Sequence, residues 1–386
     1  MKIVQTVFGK FHHFHLARQL HKRGMLEAIF SSYPSWKLRN EGLPMEKIKT
    51  FPWIHTAMMA KWRFGMHNDR LDKELAWALA NTLDRHVANK LPHCDVFIGI
   101  SGSGLRTGGI SQKRGAKYIC DRGSTHIQYA KQILDEEYNH WGLKFPGIDP
   151  RAIERERAEY YRSDIITVPS EFVRKSFIEK GVNPNKIRKI PYGADLNMFA
   201  PVDKPPDDVF EVLFVGQVSL RKGIPYLLKG FSKFKHSKKR LRIVGSAFPG
   251  MDVIFKRHDM GQVELMAPIP YNKLKYIMSK SHVMVLPSIE EGLALVQGHA
   301  MACGCPLISS INTGAEDLFT NGREGFIIPI RDSDAITEKL EIMAQNRQKR
   351  EEMSVAALER VNSIKGWDTY GDQFARLCQE ITLVNL

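Results

Sequence analysis

Short apolar runs that end at a glycine or a small polar residue, and that lead into helical patterns, constrain this fold most. Lys2–Phe8 is such a run: it stops at Gly9, and the apolar positions after it have helical spacing up to Gly24. Apolar strands that alternate with helices are typical of parallel sheets covered on both faces. Further strands are predicted at Asp95–Ser101, Lys117–Cys120, Asp164–Ser170, Val209–Gly216, Leu241–Gly245, His282–Leu286, Pro306–Ser309 and Gly325–Pro329.

A stretch without periodicity divides the chain. Residues 200–208 contain three prolines and four charged residues, which is typical of a linker. The length of 386 residues also fits two domains of ordinary size. We therefore expect an α/β protein of two doubly wound domains that face each other across a cleft, with ligands at the carboxyl ends of the strands.

Positive charge is concentrated in the first half of the chain. Residues 1–200 contain 32 Lys or Arg and 20 Asp or Glu, so they account for 12 of the net charge of +14. Such a surface attracts nucleic acid, anionic lipid or an acidic substrate. The sequence has no aromatic RNA-recognition signature and no zinc-finger spacing, so nucleic acid is not an expected partner.

Cysteine usage and hydropathy bear on the cellular compartment. The five cysteines have no zinc-like pairing and are expected to be reduced thiols. No apolar run approaches the roughly 20 residues that span a bilayer. We expect a cytoplasmic protein.

The segment 286–306 predicts an anion site. A strand ends before a turn that carries Glu291 and Gly292, and a helix is predicted from about Leu293 to Cys303. The N–H groups at a helix N-terminus suit a phosphate, which glycine allows to approach closely. His299 would lie about 12 Å along this helix from Glu291, roughly the reach of a nucleotide diphosphate-sugar. An ordinary amphipathic helix with a solvated Glu291 is the alternative.

A second strand opens into a turn of similar chemistry. Gly216 ends the strand, and Arg221 and Lys222 precede the next helix. At the carboxyl end of a parallel strand, arginine offers a diphosphate bidentate contacts and lysine a point charge. The two cations alone could be surface charge, but two such turns in one domain favour a site.

Three other clusters admit a functional interpretation. His12, His13 and His15 have no cysteine or carboxylate at metal-ligand spacing, so we expect no metal there and one of them in the cleft. Asp332 precedes a helical run and is expected to cap it rather than to bind a metal. The loop 102–104 lacks the third glycine of a dinucleotide fingerprint and is expected to be a flexible cleft loop.

The order of these blocks resembles the second domain of the family 4 retaining glycosyltransferases, which have the GT-B fold. The matching stretches are Gly216-x₅-Lys222-Gly223 and residues 241–245, 286–288, 291–306, 312–314 and 322–325. The resemblance is specific over about residues 160–370. It implies two facing Rossmann-like domains: an acceptor-binding domain at 1–200, completed by a crossover helix at about 367–386, and a donor-binding domain at 201–366.

The resemblance also implies an activity. It is the metal-independent, retaining transfer of a hexose from a nucleotide-diphosphate sugar, without a further cofactor, onto a hydroxyl of a polysaccharide, lipid-linked oligosaccharide or metabolite. The implied catalytic residues are Glu291 and His126, at the transferred sugar, and Lys222, at the diphosphate. The implied donor-binding residues are Gly9, Gly216, Gln217, Arg221, Lys222, Gly292, Leu293, Ala294, Leu295 and His299.

Two positions depart from the family pattern. Gln217 stands where the family usually has arginine, and His299 stands where it has the glutamate that accepts both ribose hydroxyls. Arg221 could supply the missing charge, whereas a neutral imidazole offers one donor and one acceptor nitrogen. The alternatives are therefore a weakened or non-catalytic donor-binding protein, and an epimerase or hydrolase of the same fold.

The acceptor side is less specific. Residues 51–64 mix tryptophan, methionine and cations. The segment is either interfacial, which would bring a lipid-linked acceptor to the cleft, or a core helix with snorkelling cations. With the basic first half, it makes the anionic inner face of a membrane a further expected partner.

Overall fold

The computed structural model describes residues 1–66, 68–364 and 366–383, and these form two parallel sheets. The first sheet contains β1 Ile3–Val7, β2 Leu26–Ser31, β3 Ile48–Thr50, β4 Val96–Ile100, β5 Lys117–Asp121, β6 Ile165–Val168 and β7 Ile187–Lys189. The second contains β8 Phe210–Val215, β9 Lys239–Val244, β10 Val263–Met266, β11 Val283–Leu286, β12 Leu307–Ser310 and β13 Gly325–Ile328. We call the parts of the chain that build them the first and the second domain.

Helices follow most strands and cover the sheets. They are α1 His13–Lys22, α2 Trp53–Arg63, α3 Asp69–Lys90, α4 Leu105–Lys113, α5 Ile127–His140, α6 Pro150–Arg162, α7 Glu171–Glu179, α8 Ile224–Lys233, α9 Met251–Phe255, α10 Leu274–Ser279, α11 Leu295–Ala302, α12 Ala315–Leu318, α13 Ser333–Gln345, α14 Arg347–Ser363 and α15 Gly366–Leu383. Short 3₁₀ turns lie at Ser35–Lys37, Met45–Lys47, Pro184–Lys186, Leu220–Lys222, Tyr271–Lys273 and Ile311–Thr313.

The nine strands predicted from apolar runs are confirmed, and their cores are buried. Every residue of β1 is buried, as is every residue of β8. Four strands were not predicted, namely β2, β3, β7 and β10. β3 and β7 are three residues long, and β10 is half-exposed at the edge of its sheet, so they lack a long apolar run.

The strand order places the ligand crevice. The first sheet runs β3-β2-β1-β4-β5-β6-β7 and the second runs β10-β9-β8-β11-β12-β13. The order reverses between β1 and β4, and again between β8 and β11. Ligands of doubly wound sheets bind at such switch points, outside the carboxyl ends of the strands. The loops after β1, β4, β8 and β11 are therefore the expected ligand-binding loops.

The C-terminal helix α15 returns to the first domain. Arg23, directly after α1, bonds the Asp372 carboxylate at 2.5 Å, and the Trp367 ring stacks on His15 at 3.9 Å between centroids. The returning segment touches the other segment that joins the domains, because a Cβ added at Gly193 would lie 2.4 Å from the Gly366 carbonyl carbon. Residues 384–386 of the expected crossover helix lie outside the described residues.

Candidate functional site

A cavity of about 650 Å³ lies between the two domains, at the carboxyl ends of β1, β8 and β11. It gathers predicted residues that are up to 83 positions apart in the chain, from Gly216 to His299. We call it the cleft cavity. The predicted residues that line it are Gly216, Lys222, Glu291, Leu293, Ala294, Leu295 and His299.

Lys222 and Glu291 form an ion pair at the wall of the cleft cavity. Lys222 ends the 3₁₀ turn after β8, and Glu291 lies in the turn after β11. Burial and the neighbouring Arg221 guanidinium lower the pKa of Lys222 to about 7. The amine is therefore poised between its two protonation states near neutral pH.

Arg221 belongs to a buried network that sequence reasoning missed. Its Nε donates to the Glu290 carboxylate at 2.7 Å, and its guanidinium lies 3.6 Å from Glu291. Glu290 also accepts hydrogen bonds from the Ser124 hydroxyl at 2.7 Å and the Thr125 hydroxyl at 2.6 Å. Burial would raise the pKa of Glu290, but Arg221 and these hydrogen bonds lower it to about 2. The charged carboxylate thus joins the two domains behind the cleft cavity.

The helix of the second motif begins later than predicted. α11 starts at Leu295 rather than at Leu293, and the Ala294 N–H donates to the Thr313 carbonyl at 3.3 Å. Glu291 therefore precedes the helix, and the helical rise used to place His299 does not apply between them. Leu295 and Val296 of the first turn still line the cleft cavity.

His299 has a fixed environment. Its ring stacks on Phe199 at 4.1 Å between centroids, and its Nε2 lies 3.0 Å from the Tyr271 hydroxyl. Burial lowers the pKa of His299 to about 4, so the imidazole is neutral at physiological pH. A neutral ring bonded to a hydroxyl can offer its other nitrogen to one more group.

At Gly292 the backbones of the two domains approach closely. A Cβ added there would lie 1.8 Å from the Gly123 carbonyl oxygen, so a side chain does not fit. The Gly292 carbonyl accepts a hydrogen bond from the Ser170 hydroxyl at 2.7 Å. Glycine at this position was expected to let a phosphate approach the backbone. In this structure it lets the first domain approach the backbone of the second.

Five predicted residues lie outside the cavity lining: Arg221 and Gly292, described above, and His126, Gly9 and Gln217. His126 caps α5 by accepting a hydrogen bond from the Gln128 N–H, and its ring packs on Tyr160 and Phe177. The expected contact of His126 with the sugar stays a prediction; in this structure the packing of α5 on the first domain directs the ring towards the core.

Gly9 and Gln217 lie beside the cleft cavity rather than at its wall. The Gly9 N–H donates to the Ser32 hydroxyl at 3.0 Å, and its φ of +67° favours a glycine. The expected contacts of both residues with a donor stay predictions. Gln217 is exposed beside the cavity, next to Gly216, which does line it.

His12 occupies the cavity wall where His126 was expected. Its Nε2 lies 2.6 Å from the Asp121 carboxylate at the end of β5, and the His13 Nε2 lies 3.3 Å from the same oxygen. Burial lowers the pKa of His13 to about 3. Ligand atoms of the three residues lie within 4.8 Å of one another, a grouping that could hold a metal ion. The sequence places Asp121 directly after a predicted strand, which is the signal that could have found it.

Two further expectations have a clear outcome. The loop 102–104 was expected to be flexible, but two hydrogen bonds restrain it: the N–H groups of Gly102 and Gly104 donate to the buried Glu159 carboxylate at 2.6 and 2.9 Å. The capping prediction is confirmed: the Asp332 carboxylate accepts a hydrogen bond from the Ala335 N–H at 2.8 Å, at the start of α13.

The segment 51–64 combines both interpretations of its sequence. As α2, it buries Met58 and the stem of Lys61, whose amine bonds Asp72 at 2.6 Å. It also leaves 74% of Trp53 and 74% of Phe64 exposed. In the described part of the chain, no helix is both long enough and apolar enough to cross a bilayer.

Comparisons of sequence place part of this chain among known proteins. Residues 199–360 match the family described as glycosyl transferases group 1. The chain is 25% identical over 210 residues to D-inositol 3-phosphate glycosyltransferase of Kribbella flavida, covering 49% of each chain. It is 27% identical over 229 residues to the capsular polysaccharide biosynthesis glycosyltransferase CapM of Staphylococcus aureus, covering 53% of this chain and 58% of CapM. The matches thus span about half the length of these curated relatives.

Comparisons of structure extend over the whole chain. Sucrose-phosphate synthase of Thermosynechococcus elongatus superposes with a TM-score of 0.77 at 18% identity, and all of both chains is covered. Anabaena HepE, solved in complex with UDP-glucose, gives a TM-score of 0.69 at 16% identity over 98% of this chain and 100% of HepE. The fold is therefore GT-B, with two Rossmann-like domains on either side of a cleft.

Proposed function

We propose that this chain transfers a hexose from a nucleotide-diphosphate sugar to a hydroxyl acceptor, since residues 199–360 match the family described as glycosyl transferases group 1. The second domain, at 201–366, binds the donor, and the first, at 1–200 with the crossover helix, binds the acceptor. The observation that carries the proposal is the Lys222–Glu291 pair at the wall of the cleft cavity.

The Lys222–Glu291 pair suits the two ends of a sugar diphosphate. Glu291 accepts hydrogen bonds from hydroxyls of the sugar, and Lys222 contacts the diphosphate. When a donor binds and separates Lys222 from Glu291, the diphosphate replaces Glu291 as the partner of Lys222, and the sugar hydroxyls replace Lys222 as the partner of Glu291. Arg221 and the first turn of α11 add positive potential where the leaving diphosphate develops charge.

The stereochemical course we propose is retention. The acceptor hydroxyl attacks from the face that the diphosphate leaves, and its proton passes to the departing oxygen. This route needs no side-chain nucleophile and therefore fits the absence of His126 from the described cavity wall.

We also propose that transfer needs no metal, because Lys222 and Arg221 can neutralise the diphosphate. The group of His12, His13 and Asp121 makes this proposal testable. Activity should survive chelation with EDTA. The proposal would be contradicted if EDTA abolished transfer, if Zn²⁺ or Mn²⁺ then restored it, and if the His13→Gln variant lacked transfer.

The acceptor surface points to a membrane partner. Trp53, Ala57 and Ala60 stand exposed on α2, and Phe64 stands exposed directly after it, which gives this segment an outward apolar stripe. The surrounding first half carries most of the positive charge. An apolar stripe in a basic surface fits peripheral binding to anionic lipid on the inner face of a membrane.

The function is tested first by binding. A thermal-shift screen with UDP-, GDP- and ADP-glucose should raise the melting temperature with one base, because ligands that bind only the folded state stabilise it. Lys222→Ala and Glu291→Ala should abolish the shift, whereas Lys229→Ala, at an exposed position of α8, should keep it.

Transfer is tested second, by release of the nucleotide in the presence of acceptors. Intact transfer in Lys222→Ala and Glu291→Ala would show that the site is assigned wrongly. Binding of a nucleotide sugar without release by any acceptor would favour the non-catalytic alternative. Release that does not depend on an acceptor would favour a hydrolase.

A further inference from the structure

A second cavity, of about 710 Å³, lies in the first domain beside the cleft cavity. α2 and α3 form one wall, and the loops after β1 and β4 form the floor. Phe11 and Ser101 line both cavities, so the two spaces adjoin at these residues. We call the second space the apolar cavity.

The walls of the apolar cavity consist largely of rings and aliphatic groups. Phe8 and Tyr33 come from strand ends, Met58 from α2, and Trp77 and Leu79 from α3. A volume of 710 Å³ falls in the range of about 300–1,000 Å³ that holds ligands of drug size. The space is large enough for a substantial part of a small molecule.

Polar groups at the wall already have protein partners. The Arg155 guanidinium donates to the Gly102 carbonyl at 2.8 Å and the Asn81 side chain at 2.7 Å, and Lys73 donates to the Pro146 carbonyl at 2.6 Å. A sugar ring in this space would lose hydrogen bonds to water and regain few, which is unfavourable. An apolar group has no such loss.

Phe11 shows how the two cavities are separated. Its φ of 42° lies in the left-handed region, which side chains rarely adopt, and 63% of its surface is exposed. The strained loop thus holds an aromatic ring at the junction, next to Ser101. A ligand that spans the junction would place its apolar part on one side of Phe11 and a reacting hydroxyl on the other.

We propose that the acceptor is an amphiphilic alcohol, whose apolar group fills the apolar cavity and whose hydroxyl enters the cleft cavity at Phe11 and Ser101. This inference rests on the proposed transferase function. It excludes an acceptor that is hydrophilic throughout, such as a free polysaccharide chain end. It also assigns the inner faces of α2 and α3 to the acceptor, while the outer face of α2 is left for the membrane.

The test is a binding measurement without donor, so that it does not depend on transfer. The full chain is titrated with methyl, n-octyl and p-nitrophenyl β-D-glucopyranoside below the micellar range, and Trp fluorescence is followed. Each buried methylene contributes about a fourfold factor in affinity, so the octyl compound should bind at least about tenfold more tightly than the methyl one. Tighter binding of the octyl or the nitrophenyl glucoside than of the methyl glucoside supports the proposal. Whichever of the two binds more tightly shows whether the cavity prefers an alkyl chain or an aromatic ring.

A matched pair of variants locates the binding. Ala76→Phe narrows the apolar cavity, whereas Ala78→Phe adds the same ring to α3 outside its lining. Octyl glucoside should bind at least about tenfold more weakly to Ala76→Phe and normally to Ala78→Phe. Equal affinity for methyl and octyl glucoside, or equal effects of the two variants, would overturn the proposal.

The nucleotide-sugar shift of the preceding section is measured on the same samples. Selective octyl binding without that shift would leave the cavity assignment standing and reject the transferase. A melting-temperature shift with nucleotide sugar but no preference for octyl glucoside would support donor binding and reject the assignment of the apolar cavity to the acceptor.

Discussion

Glu290 and Thr125 join the two domains through a carboxylate that accepts the Thr125 N–H at 3.1 Å and its hydroxyl at 2.6 Å. The same carboxylate binds Arg221, which lies next to Lys222. One buried anion therefore connects the acceptor side of the cleft to the cations of the proposed donor site.

Glu290→Gln should destabilise the protein by about 2–4 kcal/mol, because it removes a buried carboxylate charge that the partly buried Arg221 guanidinium contacts. The folded-state pKa of about 2 lies below the ordinary 4.5. The contribution of Glu290 is therefore full above about pH 4.5 and is lost as the pH falls towards 2. Urea unfolding at pH 7 and pH 3 measures both effects, with Glu316→Gln, an exposed glutamate, as the control. A variant as stable as the wild type at pH 7 would contradict this prediction.

Donor affinity should fall as the pH rises through about 7. Lys222 binds a diphosphate as the ammonium, and its pKa of about 7 means that the free protein loses this charge above neutrality. The loss should approach about tenfold for each pH unit above 7. Calorimetric titration of the nucleotide sugar between pH 6 and 9 measures it. Lys222→Arg keeps its charge and should bind with a nearly flat profile, and an equally steep profile in this variant would point to another group.

Gly292→Ala should lose about 2–4 kcal/mol of stability or separate the domains, since the new methyl would overlap the Gly123 carbonyl. Urea unfolding gives the stability, and small-angle scattering gives the separation. Gly261→Ala serves as the control, because the nearest atom to its new Cβ is 3.3 Å away. Unchanged behaviour of Gly292→Ala in both measurements would show that the domains do not approach as described.

Serine at both Trp53 and Phe64 should abolish flotation with vesicles of phosphatidylcholine and phosphatidylglycerol. Wild-type binding should weaken in 1 M salt, because part of it is electrostatic. Tyr161→Ser removes an exposed aromatic ring from α6 and should float normally. Failure of the wild type to float at any salt concentration would refute the membrane proposal.

His299→Glu should tighten nucleotide-sugar binding by about five- to tenfold, because a carboxylate can accept both ribose hydroxyls. The ligand-free variant should melt at a lower temperature, since it buries a charge and loses the Phe199 stacking. His299→Gln, which is uncharged, should not gain affinity. Equal affinity of His299→Glu and wild type would argue that this position does not face the ribose.

The parts of the fold that sequence predicted share one physical property. Strands such as β1 and β8 are buried from end to end, so their apolar runs are continuous and bounded. β3 and β10 lie at sheet edges, where backbone pairing rather than side-chain burial defines the strand. Their short or half-exposed sequences carry no comparable signal.

The residues of the site also divide into those with a clear sequence signal and those without one. Lys222 and Glu291 were predicted because each lies in the turn that follows a recognisable strand. Glu290 was missed because its meaning depends on Thr125, 165 residues away. His126 lies away from the described cavity wall because the sequence gives the loop but not the direction of the ring, which packing against Phe177 decides.

The close approach of Gly193 and Gly366 bears on how the cleft can open. The two connections between the domains meet at this point, with too little room for a side chain on either. Two tethers that touch at one place act as a pivot: they permit rotation about it and resist sliding. Closure of the cleft on a substrate would therefore be a rotation of one domain relative to the other about this glycine pair. A larger side chain at either glycine would hinder the rotation without contacting any residue of the cleft cavity.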